Sequence, residues 1–229
     1  MQQTPIHDNH NPDLLRLMPA DARFIVEVGC SSGALAREYK KLHAHPHRYV
    51  GIEIDAAYAE RAAAHCDETH VRDIETADDA FWAQLAGADC WVFGDTLEHT
   101  RDPWAVLARI RRTLPSHGHV LCCIPNAQHW SLQVRMSIGD FRYADSGLLD
   151  RTHLRWFTRQ TLVEMFLGAG YDVAGLLPRI FDEPQREAFM PLLKAVAARA
   201  GADPEQAAFD ALPLQYVLVA KPRPEDREP

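Results

Sequence analysis

Phe24-Ile25-Val26-Glu27-Val28-Gly29-Cys30-Ser31-Ser32-Gly33-Ala34-Leu35-Ala36 decides how this chain is read. An apolar run stops at an acid and two glycines, and a helical pattern follows. The order is strand, tight turn, helix. Such a turn aims free backbone N–H groups at a ligand and places it at the positive end of a helix. The ligand this implies is nucleotide-like.

The flanking sequence repeats the rhythm. Pro12–Ala20 carries leucines at helical spacing, and Arg23–Val28 is the first strand, with Gly33–Lys41 the helix after the turn. Strands are expected at Arg48–Ile54, Thr69–Val71, Asp89–Phe93 and His119–Ile124, with helices at Ala56–His65, Asp78–Ala86 and Pro103–Leu114 between them. Strand and helix alternating on short links predict a mostly parallel sheet covered on both faces. Ligands then bind beyond the carboxyl ends of the strands. Glu27, Gly29, Glu53, Asp73, Gly94, Asp95 and Asn126 all fall at such ends.

Beyond Asn126 the rhythm breaks. Residues 127–157 are polar and aromatic without clear periodicity. A helix at Thr158–Gly168 and a strand at Tyr171–Leu177 resume it. Residues 182–211 form a second break with an Ala-rich helix near Met190–Ala200, and Leu212–Ala220 is a last strand. The two breaks are the expected lid and substrate insertions. Residues 221–229 are charged and Pro-rich and read as a disordered tail. The expectation is one domain over 1–229: a doubly wound, seven-stranded, mostly parallel α/β sheet with helices on both faces and an inserted lid.

The bulk numbers fit that picture. The chain has 229 residues, 47% hydrophobic, and a net charge of −8. One large core is within reach of this length, and the acidic balance weighs against nucleic acid as a partner. The five cysteines show no C-x-x-C spacing, and Cys122-Cys123 lies in an apolar run, which suits reduced core thiols. No apolar signal core and no stretch fit to insert in a membrane are present. A soluble cytoplasmic protein is expected. His43-Ala-His45-Pro-His47 reads as a solvated loop, because Pro46 breaks the local geometry and no acid joins it.

A dinucleotide turn needs G-x-G-x-x-G. Gly29-x-Ser31-x-x-Ala34 is a poor match, and Glu27 would repel a pyrophosphate while attracting a ligand carrying ammonium or sulfonium. Glu27-x-Gly29-x-Ser31-x-Gly33 instead resembles the first motif of class I S-adenosylmethionine-dependent methyltransferases, with Ser31 in place of the middle glycine. Gly51-Ile52-Glu53 resembles their strand-two acid, which bonds the ribose hydroxyls. Arg72-Asp73-Ile74 resembles the adenine-binding position, and Pro115-Ser116-His117-Gly118 the turn before strand five. The resemblance implies a Rossmann-like methyltransferase fold. It also implies S-adenosylmethionine held by Glu27, Gly29, Cys30, Ser31, Gly33, Glu53, Ile54, Asp73, Ile74, Gly94 and Asp95.

Asp95-Thr-Leu-Glu98-His99, Ile124-Pro125-Asn126 and the string from Gly139-Asp140-Phe141 through Gly147-Leu-Leu-Asp150-Arg151-Thr152-His153-Leu-Arg155-Trp156-Phe157-Thr158 resemble a narrower subgroup. It is found with glycosyltransferases in surface-polysaccharide synthesis. That resemblance implies an acceptor hydroxyl on a nucleotide- or lipid-linked glycan, with a glycosyltransferase as a candidate partner. An alcohol must lose a proton, and imidazole is suited to take it. His153 is the first candidate base and His99 the second, with Asp150 as orienting partner. The alternative is that His153 is a structural histidine at the start of a helix. Asn126, Tyr143, Arg151 and Arg155 are candidate acceptor contacts, and Trp130 and Trp156 candidate stacking rings, although core packing is the preferred reading for Trp156 and Phe157. Asp95, Glu98, His99 and His153 also resemble the acid-and-imidazole sets of metal-dependent small-RNA and ubiquinone-pathway O-methyltransferases. A structural corner at Glu98-His99, without metal, is the preferred reading over a divalent cation there.

Overall fold

The computed structural model describes residues 8–45 and 47–224. The strands are β1 (Phe24–Val28), β2 (Arg48–Glu53), β3 (Glu68–Val71), β4 (Cys90–Gly94), β5 (His119–Pro125), β6 (Tyr171–Arg179) and β7 (Gln215–Pro222). They form a seven-stranded sheet in the order β3-β2-β1-β4-β5-β7-β6. Pairing is parallel from β3 to β5, and β7 runs antiparallel to both its neighbours. The order reverses between β1 and β4. That is the topological switch point, where the crevice of an open α/β sheet lies.

The alternation of apolar residues sends the two faces of each strand into separate cores. Val26, Val28, Trp91 and Phe93 pack on one side with Trp82, Leu107 and Phe166. Ile25, Tyr49 and Val92 pack on the other with Leu14, Leu35 and Tyr39. The covering helices are α1 (Pro12–Leu17), α2 (Ala34–Leu42), α3 (Ala56–Ala62), α4 (Asp79–Gln84), α5 (Pro103–Arg111), α6 (Trp130–Ser137), α7 (Arg159–Gly168), α8 (Met190–Arg199) and α9 (Pro204–Asp210). Several begin at side-chain caps. Asp55, Asp78, Asp102 and Thr158 each accept a first-turn backbone N–H.

Three expectations change. Residues 127–157 contain α6, and 182–211 contain α9 beside α8, so neither insertion is irregular throughout. Both added helices are short, with too few turns to show a period in sequence. The strand expected at Leu212–Ala220 begins at Gln215 and continues to Pro222, so Lys221 and Pro222 pair with Asp172 and Tyr171 instead of starting a tail. Residues 225–229 of that tail lie outside the described residues, as does Pro46.

The two insertions pack on each other. The Trp130 ring stacks on Phe189 with centroids 5.6 Å apart. Its indole N–H donates to Glu183 Oε2 at 3.0 Å, and the same oxygen lies 3.1 Å from His129 Nε2. They form one cap above the end of β5.

Candidate functional site

The turn after β1 sits at the switch point. Gly29 has φ +75°, and a Cβ there would lie 2.4 Å from Thr96 Oγ1. Thr96 in turn donates to Val28 O at 2.9 Å, so the ends of β1 and β4 are pinned together. Glycine is required both by backbone conformation and by space. Gly33, also at φ +75°, would place a Cβ 3.0 Å from Ala62 Cα, which explains how closely α2 approaches α3. Ser31 takes the middle-glycine place at φ +48°, a left-handed conformation that costs a serine something.

Four backbone donors of this turn are used within the protein. Gly29 N and Cys30 N donate to Ile52 O at 2.8 and 3.2 Å, and Gly33 N to Cys30 O at 2.8 Å. Ser31 N donates to Glu53 Oε2 at 2.9 Å. Those four N–H groups are therefore not free for a ligand. The turn closes on the end of β2, leaving its shape and the start of α2 to face a ligand.

Glu53 is 4% exposed. Its other oxygen accepts Ile54 N at 2.8 Å and Asp55 N at 3.1 Å. A carboxylate has about four lone-pair sites, so three backbone donors leave capacity for a hydroxyl. Ile54 beside it is 53% exposed, an apolar shelf at the rim. Val71, in register with Glu53 on β3, is exposed as well, and sequence reasoning missed it. Ile74 is instead buried in the core, so it does not form the expected ligand wall. Asp73 Oδ1 caps its own turn through Glu75 N, and Oδ2 lies 3.8 Å from Arg101.

Glu27 faces the α2 side and accepts the Tyr49 hydroxyl at 2.8 Å. Burial, with a smaller push from Cys66, holds its carboxyl well above the usual range. Glu27 is thus a buried acid that favours its neutral form. The Cys30 thiol turns inward too, against Gly51 and near Cys66, so only its backbone reaches the turn. Gly94 packs under Leu14. Asp95, at φ +55°, accepts from the Gln215 side chain and so ties β4 to β7.

Beyond Thr96, Leu97–His99 form a 3₁₀ turn, and its carbonyl at Glu98 receives Leu154 N and Arg155 N at 2.8 and 3.0 Å. Those bonds dock the His153 string onto the turn. Glu98 is 1% exposed, and neither carboxyl oxygen has a hydrogen-bond partner on another residue. Burial, then Asp95, holds that carboxyl up. The His99 and His153 rings meet edge to face, centroids 4.8 Å apart. One donor atom from each of Glu98, His99 and His153 lies within 4.8 Å of the other two. Asp95 is not in this group.

Thr152 sets the tautomer of His99. Its hydroxyl donates to Asp150 Oδ1 at 2.6 Å, so toward His99 Nδ1, 3.1 Å away, that oxygen accepts. The Thr152 carbonyl also lies 3.1 Å from Nδ1. Nδ1 therefore carries the proton, and Nε2 presents a lone pair. His153 is buried and its Nδ1 has no partner. Burial lowers the pKa of both rings, and for His153 the neighbouring His99 adds to it. Both imidazoles favour the neutral form. They can take a proton or coordinate a cation.

The remaining acceptor candidates divide. Asn126 is fully buried, its amide donating to Asp210 O and Pro213 O at 2.8 Å each, so it braces the cap and does not meet an acceptor. Arg151 pairs with Asp145 at 2.7 Å. The Arg155 guanidinium bonds the carbonyls of Leu154 and Arg101. Trp130 packs within the cap. Tyr143 and Trp156 are exposed, and Phe141 bridges them at 5.7 and 6.2 Å. Trp156 lies 6.4 Å from His153, so an aromatic wall leads outward from the imidazoles. A separate hollow of about 450 Å³ lies between α4 and α5, away from the strand ends and their polar groups.

The sequence model of a family described as "Methyltransferase domain" matches residues 10–175. No curated protein sequence matches the chain. Among solved structures, a chain of the complex between the Haloferax volcanii Trm112 methyltransferase activator and a methyltransferase aligns at TM-score 0.60 with 17% identity, over 95% of this chain and 90% of that one. An S-adenosylmethionine-dependent methyltransferase from Archaeoglobus fulgidus aligns at 0.60 with 14% identity, over 88% and 87%. The [4+2]-cyclase SpnF aligns at 0.57 with 18% identity, over 93% and 80%. At these identities the structural matches speak to fold alone.

Proposed function

The chain belongs to the methyltransferase-domain family, with the fold of class I S-adenosylmethionine-dependent methyltransferases, and from that premise we propose that it O-methylates a sugar hydroxyl of a nucleotide- or lipid-linked glycan. One observation carries the hydroxyl: two imidazoles that favour their neutral form beside the switch-point turn, His153 buried and His99 half-buried, the latter with its Nε2 lone pair fixed by Thr152 and Asp150. Hydroxyl acceptors need help losing a proton. The string of residues 139–158 supports the glycan.

Bound at the turn, S-adenosylmethionine supplies an electrophilic methyl group. The residues suited to hold it are Glu53 through its remaining lone pair, the glycine turn by its shape, and Ile54 and Val71 as apolar contacts. Glu98, His99 and His153 receive the hydroxyl and ease removal of its proton. Phe141, Tyr143 and Trp156 stack on the acceptor and hold it in line, which is worth several kcal/mol by positioning. Cytoplasmic location and a glycosyltransferase partner belong to the same reading.

The rival outcome is cofactor binding without methyl transfer, since SpnF shares the fold and is described as a cyclase. The test is incubation of the pure protein with methyl-labelled cofactor and a panel of nucleotide- and lipid-linked sugars, phenols and RNA ends. Labelled sugar supports the proposal. Label on a phenol or an RNA end instead, or cofactor bound with no acceptor labelled, overturns it.

A further inference from the structure

We infer that Glu98, His99 and His153 form a binding site for one divalent transition-metal cation, with coordination positions left open for an acceptor oxygen. The site stands on its own geometry, and only its part in catalysis rests on the methyltransferase reading above.

Glu98 is the first reason. Both its oxygens are enclosed and neither has a hydrogen-bond partner on another residue, only Glu98's own backbone N–H lying close enough to act on them. Ionised, such a group is among the costliest things a fold can bury; neutral, it still leaves a donor and an acceptor unmet. Buried polar groups are partnered so consistently that an exception asks for a missing component. His153 Nδ1 is a second orphaned atom in the same cluster. A base pair of imidazoles needs no third buried acid, whereas a cation satisfies all three groups together.

His99 supplies the third reason. Its Nδ1–H is held by Thr152, whose hydroxyl is bonded onward to Asp150. An imidazole anchored through one nitrogen, with a carboxylate behind the anchor, is the arrangement that orients a metal-ligating histidine. Asp95 and Asp150, near enough to act on Glu98 electrostatically, add negative potential that favours a cation. The donor atoms lie within 4.8 Å of one another. In a loaded site, bonds of about 2.1 Å bring ligand atoms to roughly 3–3.5 Å apart. Side-chain rotations that shorten the widest separation by roughly 1.3–1.8 Å close the difference.

The donor set names the class of ion. Two imidazole nitrogens and one carboxylate oxygen suit the series from manganese to zinc, while magnesium and calcium seek oxygen ligands. Three protein donors leave the cation open to a further oxygen. A hydroxyl bound there loses its proton to solvent more readily.

The test uses the full chain, stripped with EDTA and titrated with Co²⁺ by visible absorption and with Zn²⁺ by calorimetry. His43, His45 and His47 are a rival imidazole group, with ring centroids 6.0 and 5.3 Å apart, so a variant with all three replaced by Ala runs in parallel. The expected result is one equivalent bound in both proteins, weakened on the order of 100-fold by Glu98→Gln and by His153→Asn, with no competition from Mg²⁺. Circular dichroism identifies any variant that fails to fold, and the other then carries the result. No binding by the parent chain overturns the inference, as does undiminished affinity in a folded Glu98→Gln or His153→Asn protein. Neither cofactor nor acceptor is present, so failure here removes the cation and leaves methyl transfer to its own assay.

Discussion

The backbone N–H of Ser31 donates to the carboxylate of Glu53 at 2.9 Å, closing the turn after β1 onto the end of β2. The same carboxylate takes Ile54 N and Asp55 N. One acid therefore organises two strand ends and keeps one lone pair unspent. Replacing Glu53 by Ala strands three backbone donors, and the expected loss is about 1–3 kcal/mol of stability. S-adenosylmethionine affinity falls by more than tenfold. Urea denaturation and equilibrium binding measure the two effects, and unchanged affinity in a folded variant contradicts the role given to Glu53.

Gly29 meets Thr96 across the switch point. Gly29→Ala sets a Cβ against Thr96 Oγ1 in a left-handed backbone. The expected cost is about 2–4 kcal/mol, from strain and overpacking together. Adding Thr96→Ala removes the clash but not the left-handed strain, so the double variant recovers part of the loss. A double-mutant cycle on denaturation midpoints measures the coupling. Strict additivity argues against the contact.

His129 makes stability depend on pH. It is fully buried in the cap, and burial lowers its pKa, with Glu183 opposing. The unfolded chain takes up the proton near pH 6.5, while the folded protein resists until lower pH. The neutral ring's contribution is therefore complete above about pH 6.5 and is lost as pH falls toward the folded value. His129→Asn flattens the stability difference between pH 7.5 and 5.5. An equal drop in parent and variant assigns the effect to other groups.

Trp156 and Tyr143 test the acceptor wall. Trp156→Ala and Tyr143→Ala are expected to raise KM for the acceptor several-fold with a smaller change in kcat, since stacking is made before and during transfer alike. Steady-state kinetics with a fixed, saturating cofactor measures this. Loss confined to kcat places the rings elsewhere in the reaction.

Thr152 tests the tautomer of His99. Thr152→Val removes one acceptor from Nδ1 and the link to Asp150. Turnover is expected to fall roughly 10- to 100-fold with cofactor affinity unchanged. Parallel losses in both quantities point to a general structural defect.

The strand rhythm was legible because buried parallel strands read as apolar runs between caps. Glu27-x-Gly29-x-Ser31-x-Gly33 and Glu53 placed the crevice, because strand ends in such sheets converge on one rim. What could not be read was direction. Nothing in the sequence shows that the side chains of Cys30, Ile74 and Asn126 turn inward, or that Glu53 spends itself on Ser31 N. His99 and His153 lie 54 positions apart, so their contact depends on how residues 139–158 dock against Glu98 O. The role of Thr152, hidden in the string Asp150-Arg-Thr-His153, followed only from that docking. The helices α6 and α9 were too short to announce themselves.

The central claim is that this crevice takes S-adenosylmethionine. It is tested most directly by calorimetric titration of the purified chain with that cofactor, beside Glu53→Ala. The account predicts one site per chain in the parent protein and binding weakened by more than tenfold in the variant. A parent protein that gives no binding, confirmed by equilibrium dialysis with labelled cofactor, contradicts it.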